Sequence, residues 1–198
     1  MGQRLYATNL STYVQETYGQ VKEIKKQSIS GVVPFLQRTF EGRSDCTLTS
    51  ILTICKFYNL TINNLECYNF IKNIAKKYFY TDDFGTIPLF INKIIKPVFK
   101  QYNIYYIPKS KYLKNICWNI NDIIQHINSG NPIILSIHTD NRDYYKNHSV
   151  VCKGYINYIT EDNKNHYFLE IFDNWNLTNS YIDYNKLSVM SSINYFSN

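Results

Sequence analysis

Apolar positions recur along this chain with two different periods. Up to about residue 128 they fall three and four apart, as on one face of a helix. Leu48, Ile51, Leu52, Cys55 and Tyr58 form one such stripe, behind Ser44 and Asp45, either of which can cap a helix start. Leu65, Tyr68, Ile71, Ala75 and Tyr78 form another, over residues 64–79. A third follows Gly85-Thr86, with Pro88 in its first turn and Phe90, Ile94, Ile95 and Val98 as its apolar face. Pro97 is expected to end or kink that helix. Ile104 to Ile107 reads as a short strand closed by Pro108. Ile123, Ile124 and Ile127 then mark a short amphipathic helix over Asn121 to Asn128, stopped by Ser129-Gly130-Asn131-Pro132.

Beyond Pro132 the pattern becomes strand-like. Ile133 to Ile137 is a buried-strand run, Ser149 to Tyr155 is another, and His166 to Phe172 alternates. Tyr181 and Ile182 read as a last edge strand. Residues 1–30 are ambiguous: Val14, Tyr18, Val21 and Ile24 have helical spacing that Gly19 interrupts, so this stretch is expected to be an N-terminal arm. Gly31 to Phe35 is extended, because Pro34 biases its predecessor away from helix. Helices first and strands second predict an α+β domain, a helical half packed on a mostly antiparallel sheet. The organisation expected is an arm over 1–30 and a single domain over 31–198.

Composition adds exclusions. The chain has 198 residues, 44% hydrophobic and 18% charged, which excludes intrinsic disorder and fits one domain. No apolar run approaches the roughly 18 residues of a membrane span. Met1 to Leu5 carries one basic residue with no apolar stretch behind it, so no secretory signal is visible and a cytoplasmic location is expected. The net charge of +6 is spread out, with small groups at Lys22, Lys25, Lys26 and at Lys76, Lys77. It reads as a solvated surface, without specific nucleic-acid binding. The abundance of Asn, Lys, Ile, Tyr and Phe looks like codon bias and carries no function. The sequons at Asn9, Asn59, Asn147 and Asn176 are expected by chance. The oligomeric state is not written in the sequence.

The five cysteines, Cys46, Cys55, Cys67, Cys117 and Cys152, are odd in number and include no C-x-x-C pair. A disulfide framework and a zinc site are both poor fits, and no cofactor is expected. Cys46 differs from the rest by position. It lies at a helix start, where unpaired N–H groups and the helix dipole stabilise a thiolate and lower the thiol pKa. Cys55 and Cys152 fall on apolar faces, Cys67 has no obvious base, and Cys117 precedes Trp118 in a loop-like stretch.

A cysteine nucleophile needs a base, and His148 is the best candidate. It stands where the polar loop Asp140 to Asn147 meets a strand. His138, at the end of the previous strand, is second choice. His126 belongs to helix packing or solvent, and His166 opens a strand. Asp173, at the end of the strand after His148, offers a carboxylate that can accept the imidazole Nδ1–H and fix the tautomer that serves the thiol, although an Asp before Asn-Trp is equally well a turn former. Gln37, nine residues before Cys46, can donate to an oxyanion beside the Cys46 N–H.

This ordered set resembles a known family. Val33-Pro34-Phe35-Leu36-Gln37 with Asp45-Cys46-Thr47-Leu48-Thr49-Ser50-Ile51 is similar to the active-site segment of papain-like cysteine peptidases. The similarity is greatest to the bacterial group that includes bacteriocin-processing, double-glycine leader peptidases. Residues 123–135 resemble that group's helix, Gly, Pro, strand segment. Residues 147–155 resemble its catalytic-histidine strand, and Phe172-Asp173-Asn174-Trp175 its Asp or Asn position. The Trp two residues on resembles the indole that shields the histidine's hydrogen bond in papain-like enzymes. The resemblance covers roughly residues 32–183.

It implies a cleft between the two halves and thiol chemistry on a peptide or protein substrate. Cys46 would attack, His148 would move the proton, Asp173 would orient His148, and Gln37 with the Cys46 amide would hold the oxyanion. Acyl transfer through the same thioester, or peptide binding without catalysis, are the alternatives. Thr47 stands where many relatives have Gly, and the spacing of Gln37 varies in the group. The Asp82-Asp83-Phe84-Gly85 loop can rim a cleft but reads as an ordinary turn.

Overall fold

The computed structural model describes residues 5–40, 44–138 and 147–197. In chain order its elements are β1 (Leu5–Tyr6), α1 (Ala7–Tyr18), β2 (Val21–Ser28), α2 (Cys46–Tyr58), α3 (Asn64–Lys76), α4 (Ile91–Gln101), β3 (Ile107–Lys111), α5 (Ile120–Asn128), β4 (Ile133–Ile137), β5 (His148–Thr160), β6 (Asn165–Phe172), β7 (Ser180–Asp183) and β8 (Ser192–Ser197). The strands form one sheet in the order β1-β7-β6-β5-β4-β8-β3, and every pairing is antiparallel. Among the described residues, five α-helices on an antiparallel sheet make this the α+β architecture that the hydrophobic pattern implies.

Strand β5 is the spine. Residues 148–152 pair with β4, and 154–160 pair with β2 on the same edge. Gly154 marks the exchange: a Cβ there would come within 2.7 Å of the Gln27 carbonyl oxygen, so only glycine lets β2 approach. Residues 5–28 are thus woven into the sheet, through β1 on β7 and β2 on β5. Their alternation is hidden because seven of the eight β2 residues are exposed.

Helix α2 is the central helix, packed against β5, β4, α3 and α4. All residues from Thr47 to Cys55 are buried. Buried hydroxyls are costly without partners, and three of its four have one, the Thr49 hydroxyl having none among the described residues. Thr53 donates to the Thr49 carbonyl, and Thr47 and Ser50 bond to β5. The main core gathers α2, α3 and α4 on one face of the sheet, while Leu10 and Val14 of α1 join Tyr158, Phe168 and Tyr181 in a second cluster.

Several expected boundaries move. Helix α4 runs through Pro97 to Gln101, because buried Ile94 and Ile95 before it and Val98 and Phe99 after it anchor both sides. Helix α3 stops at Lys76, short of Phe79, whose backbone is left-handed (φ 63°). The strand expected over 104–107 lies at 107–111 and continues through Pro108, which an edge strand tolerates. Strand β7 is not an edge, since β1 flanks it, and β8 was not signalled by the pattern. Among the described residues, no helix is long and apolar enough to cross a membrane.

Candidate active site

Cys46 is the first residue of α2 and is partly exposed. Neither capping candidate caps this helix. The Asp45 side chain turns inward, fully buried, and accepts from the hydroxyls of Tyr68 and Tyr80. Ser44 donates instead to the Asp83 carbonyl. The first turn of α2 therefore reaches the cleft without a side-chain cap across it.

His148 is the first residue of β5. The Thr47 hydroxyl donates to the Ser149 hydroxyl, so the residue after the thiol lies against the residue after the imidazole. Cys46, His148, Gln37 and Trp175 line one cleft of about 950 Å³. The polar loop expected before His148 lies outside the described residues up to 146. His138 lines the same cleft from the end of β4. His126 stacks on Tyr195 and His166 on Tyr18, both away from it. Cys55, Cys67 and Cys152 are buried, Cys117 is exposed, and all are free thiols.

The imidazole of His148 is held from two directions. Its Nε2 lies 2.7 Å from the backbone carbonyl oxygen of Asp173. A carbonyl can only accept, so Nε2 carries the proton of that bond and Nδ1 is the basic nitrogen. Trp175 stacks on the ring, with centroids 4.3 Å apart and planes at 28°. The Asp173 carboxylate accepts the N–H groups of Trp175 and Asn176, each at 3.0 Å, and the Ser180 hydroxyl at 3.1 Å. It thereby shapes the turn whose carbonyl meets the histidine.

Burial pushes the Cys46 thiol above its ordinary pKa, and the charge of Asp45 adds to this. The N–H groups of Ser149 and Thr47 and the Thr47 hydroxyl pull it down but do not outweigh burial. The lowered pKa expected from the helix start is therefore corrected: desolvation of the thiolate wins. A thiol so placed needs a neighbouring base to lose its proton. Thr47, in the place where many relatives have Gly, also donates to the Ser149 hydroxyl at 2.9 Å and so ties α2 to β5.

Gln37 stands in a short 3₁₀ turn (Gln37–Thr39), and its N–H donates to the Asn174 carbonyl at 2.8 Å. One contributor was not singled out by the sequence. Asn174 reaches across to Cys46, Ser50 and Ser149. The 82–85 loop is more than a turn, since Phe84 and Gly85 line the cleft. Gly85 (φ 73°) packs so tightly on Ser44 that a Cβ would meet its carbonyl oxygen at 2.9 Å. Among the described residues, no group of three or more His, Cys, Asp or Glu side chains could hold a metal ion.

The sequence matches the model of the Peptidase_C39 like family over residues 29–192, and the chain belongs to that family. It is thereby a member of the papain-like cysteine peptidase superfamily. The fold is similar to the crystal structure of a protein from Bacillus anthracis that bears the name of a C39-like peptidase. The TM-score is 0.58 at 16% identity, covering 88% of this chain and 98% of that one. No curated protein matches the sequence.

Proposed function

We propose that this chain is a cysteine peptidase that cleaves a peptide or amide bond through Cys46 and His148. The observation that supports this reading is that Cys46, at the start of α2, and His148, an oriented imidazole at the start of β5, line one cleft. Cys46 Sγ attacks the substrate carbonyl as His148 Nδ1 takes the thiol proton. The protonated imidazole then gives that proton to the leaving amine, and a thioester forms. Water attacks the thioester with His148 as base, releasing the acid and restoring the thiol. Asp173 holds His148 through its backbone carbonyl, and Trp175 covers the ring. The Cys46 N–H and the Gln37 side chain face the oxyanion.

The likeness of residues 123–135 and 147–155 to the bacteriocin-processing group supports a double-glycine leader peptide as the first substrate to try. The test is cleavage of such a peptide, and of a mixed peptide library, followed by mass spectrometry. Wild type is expected to cleave and Cys46→Ala is not; equal cleavage by both would refute the mechanism.

A further inference from the structure

The three residues that follow β6 touch every other member of the candidate site. Asp173 gives its carbonyl and Trp175 its ring to His148, and the Asn174 carbonyl accepts the Gln37 N–H. The Asn174 side chain reaches furthest. It is 1% exposed, and its Nδ2 lies 3.0 Å from the Cys46 carbonyl oxygen, 2.9 Å from the Ser149 carbonyl oxygen and 2.9 Å from the Ser50 hydroxyl. Two of these are carbonyl oxygens, which only accept, so the amide must turn its NH₂ toward them. One side chain thus joins the first residue of the thiol-bearing helix to the residue after His148.

The position is demanding. Asn174 has φ 62°, in the left-handed region that asparagine and glycine tolerate best. Glycine would keep the backbone but lose the donors. Aspartate would keep the shape but set an oxygen against two carbonyl oxygens. Longer side chains would not fit a space this enclosed.

We propose that Asn174 is a positioning residue for the Cys46–His148 couple: by bridging the carbonyls of Cys46 and Ser149 it sets how the start of α2 lies against the start of β5. This rests on the thiol chemistry proposed above. Asn174 exchanges no proton and acts through the backbone of the two residues it joins. Proton transfer between sulfur and imidazole depends on placement to a fraction of an ångström, so losing the bridge lowers reactivity before it undoes the fold.

The experiment needs no substrate. In the full chain carrying Cys117→Ser, which removes the exposed thiol, the rate of iodoacetamide alkylation at Cys46 is followed against pH by peptide mass mapping. Asn174→Gly and Asn174→Asp are compared with this parent, with circular dichroism as the check on folding. The parent is expected to react faster than a free cysteine near neutral pH. Both variants are expected to fold and to lose about tenfold or more in rate there, as for a thiol whose effective pKa rises by one unit. The loss should be larger for Asp than for Gly. A fast parent with unchanged variants overturns the role of Asn174. Loss of the folded state in both variants also overturns it, because the residue would then serve the fold. A parent no faster than a free cysteine instead contradicts the peptidase reading beneath the proposal.

Discussion

His148 begins β5 and His166 is the second residue of β6, the neighbouring strand. Each ring is stacked on an aromatic side chain, His148 on Trp175 at 4.3 Å and His166 on Tyr18 at 4.0 Å. Each has an aspartate in its surroundings: Asp173 bonds His148 directly, and Asp183 accepts from the same Tyr18 that covers His166. The difference lies in what faces the ring. His148 lines a cleft that Cys46 also lines. His166 is packed with α1, its Nε2 is 3.4 Å from the Thr160 hydroxyl, and its buried Nδ1 has no hydrogen-bond partner among the described residues. A strand-end histidine, an aromatic lid and a nearby aspartate are therefore not a site. A helix start carrying a thiol on the same cleft makes the difference, since both rings are buried, His148 at 5% exposure and His166 at 9%.

The sharpest way to break this contrast is to remove the thiol. Cys46→Ala is expected to abolish peptide cleavage, a loss on the order of 10⁴-fold or more in kcat, with an unchanged melting temperature. Next comes the histidine pair. His148→Ala is expected to cost roughly 10²–10⁴-fold in kcat, because it removes the general base, and some stability too, because a buried ring loses its stacking on Trp175 and its bond to the Asp173 carbonyl. His166→Ala should leave activity nearly intact, with a loss of about 2 kcal/mol from the emptied packing with α1, or roughly 4–8 °C in Tm. Thermal melts and cleavage rates on the same preparations check both.

The smaller effects concern how His148 is held. Trp175→Ala is expected to lower kcat about tenfold by releasing one face of the ring, and Trp175→Phe should recover most of it. Asp173→Ala is expected to hurt less than His148→Ala, because the carbonyl that meets the histidine remains. It should also destabilise by about 1–3 kcal/mol, since two turn N–H groups and the Ser180 hydroxyl lose their acceptor. Asp173→Asn keeps an acceptor oxygen and should lie between Asp173→Ala and wild type in both readouts.

Much of this molecule was legible from residue pattern alone. The stripe Leu48, Ile51, Leu52, Cys55 located α2, and with it the placement of Cys46 at a helix start. The apolar run 133–137 and the strand behind His148 were equally plain, because both are buried on both faces. Strand β2 was not, since its residues are mostly exposed and its place depends on Gly154, far away in sequence. The continuation of α4 through Pro97 follows from tertiary packing, which local propensity does not record. At the site, the residue types were visible but their bonds were not. Asp45 looks like a cap and is instead the acceptor for two tyrosines. Asn174 looks like a turn residue and is a bridge between two elements. Long-range hydrogen bonds of this kind leave no periodic trace.

The most direct test is the alkylation rate of Cys46 in wild type and in His148→Ala, measured near pH 6.5 with the modified site located by mass spectrometry. Burial holds this thiol above its ordinary pKa, so less thiolate is present at a given pH unless a base accepts the proton. Wild type should therefore react faster than a free cysteine, and His148→Ala slower than one. Equal rates in the two proteins would mean that sulfur and imidazole do not act together.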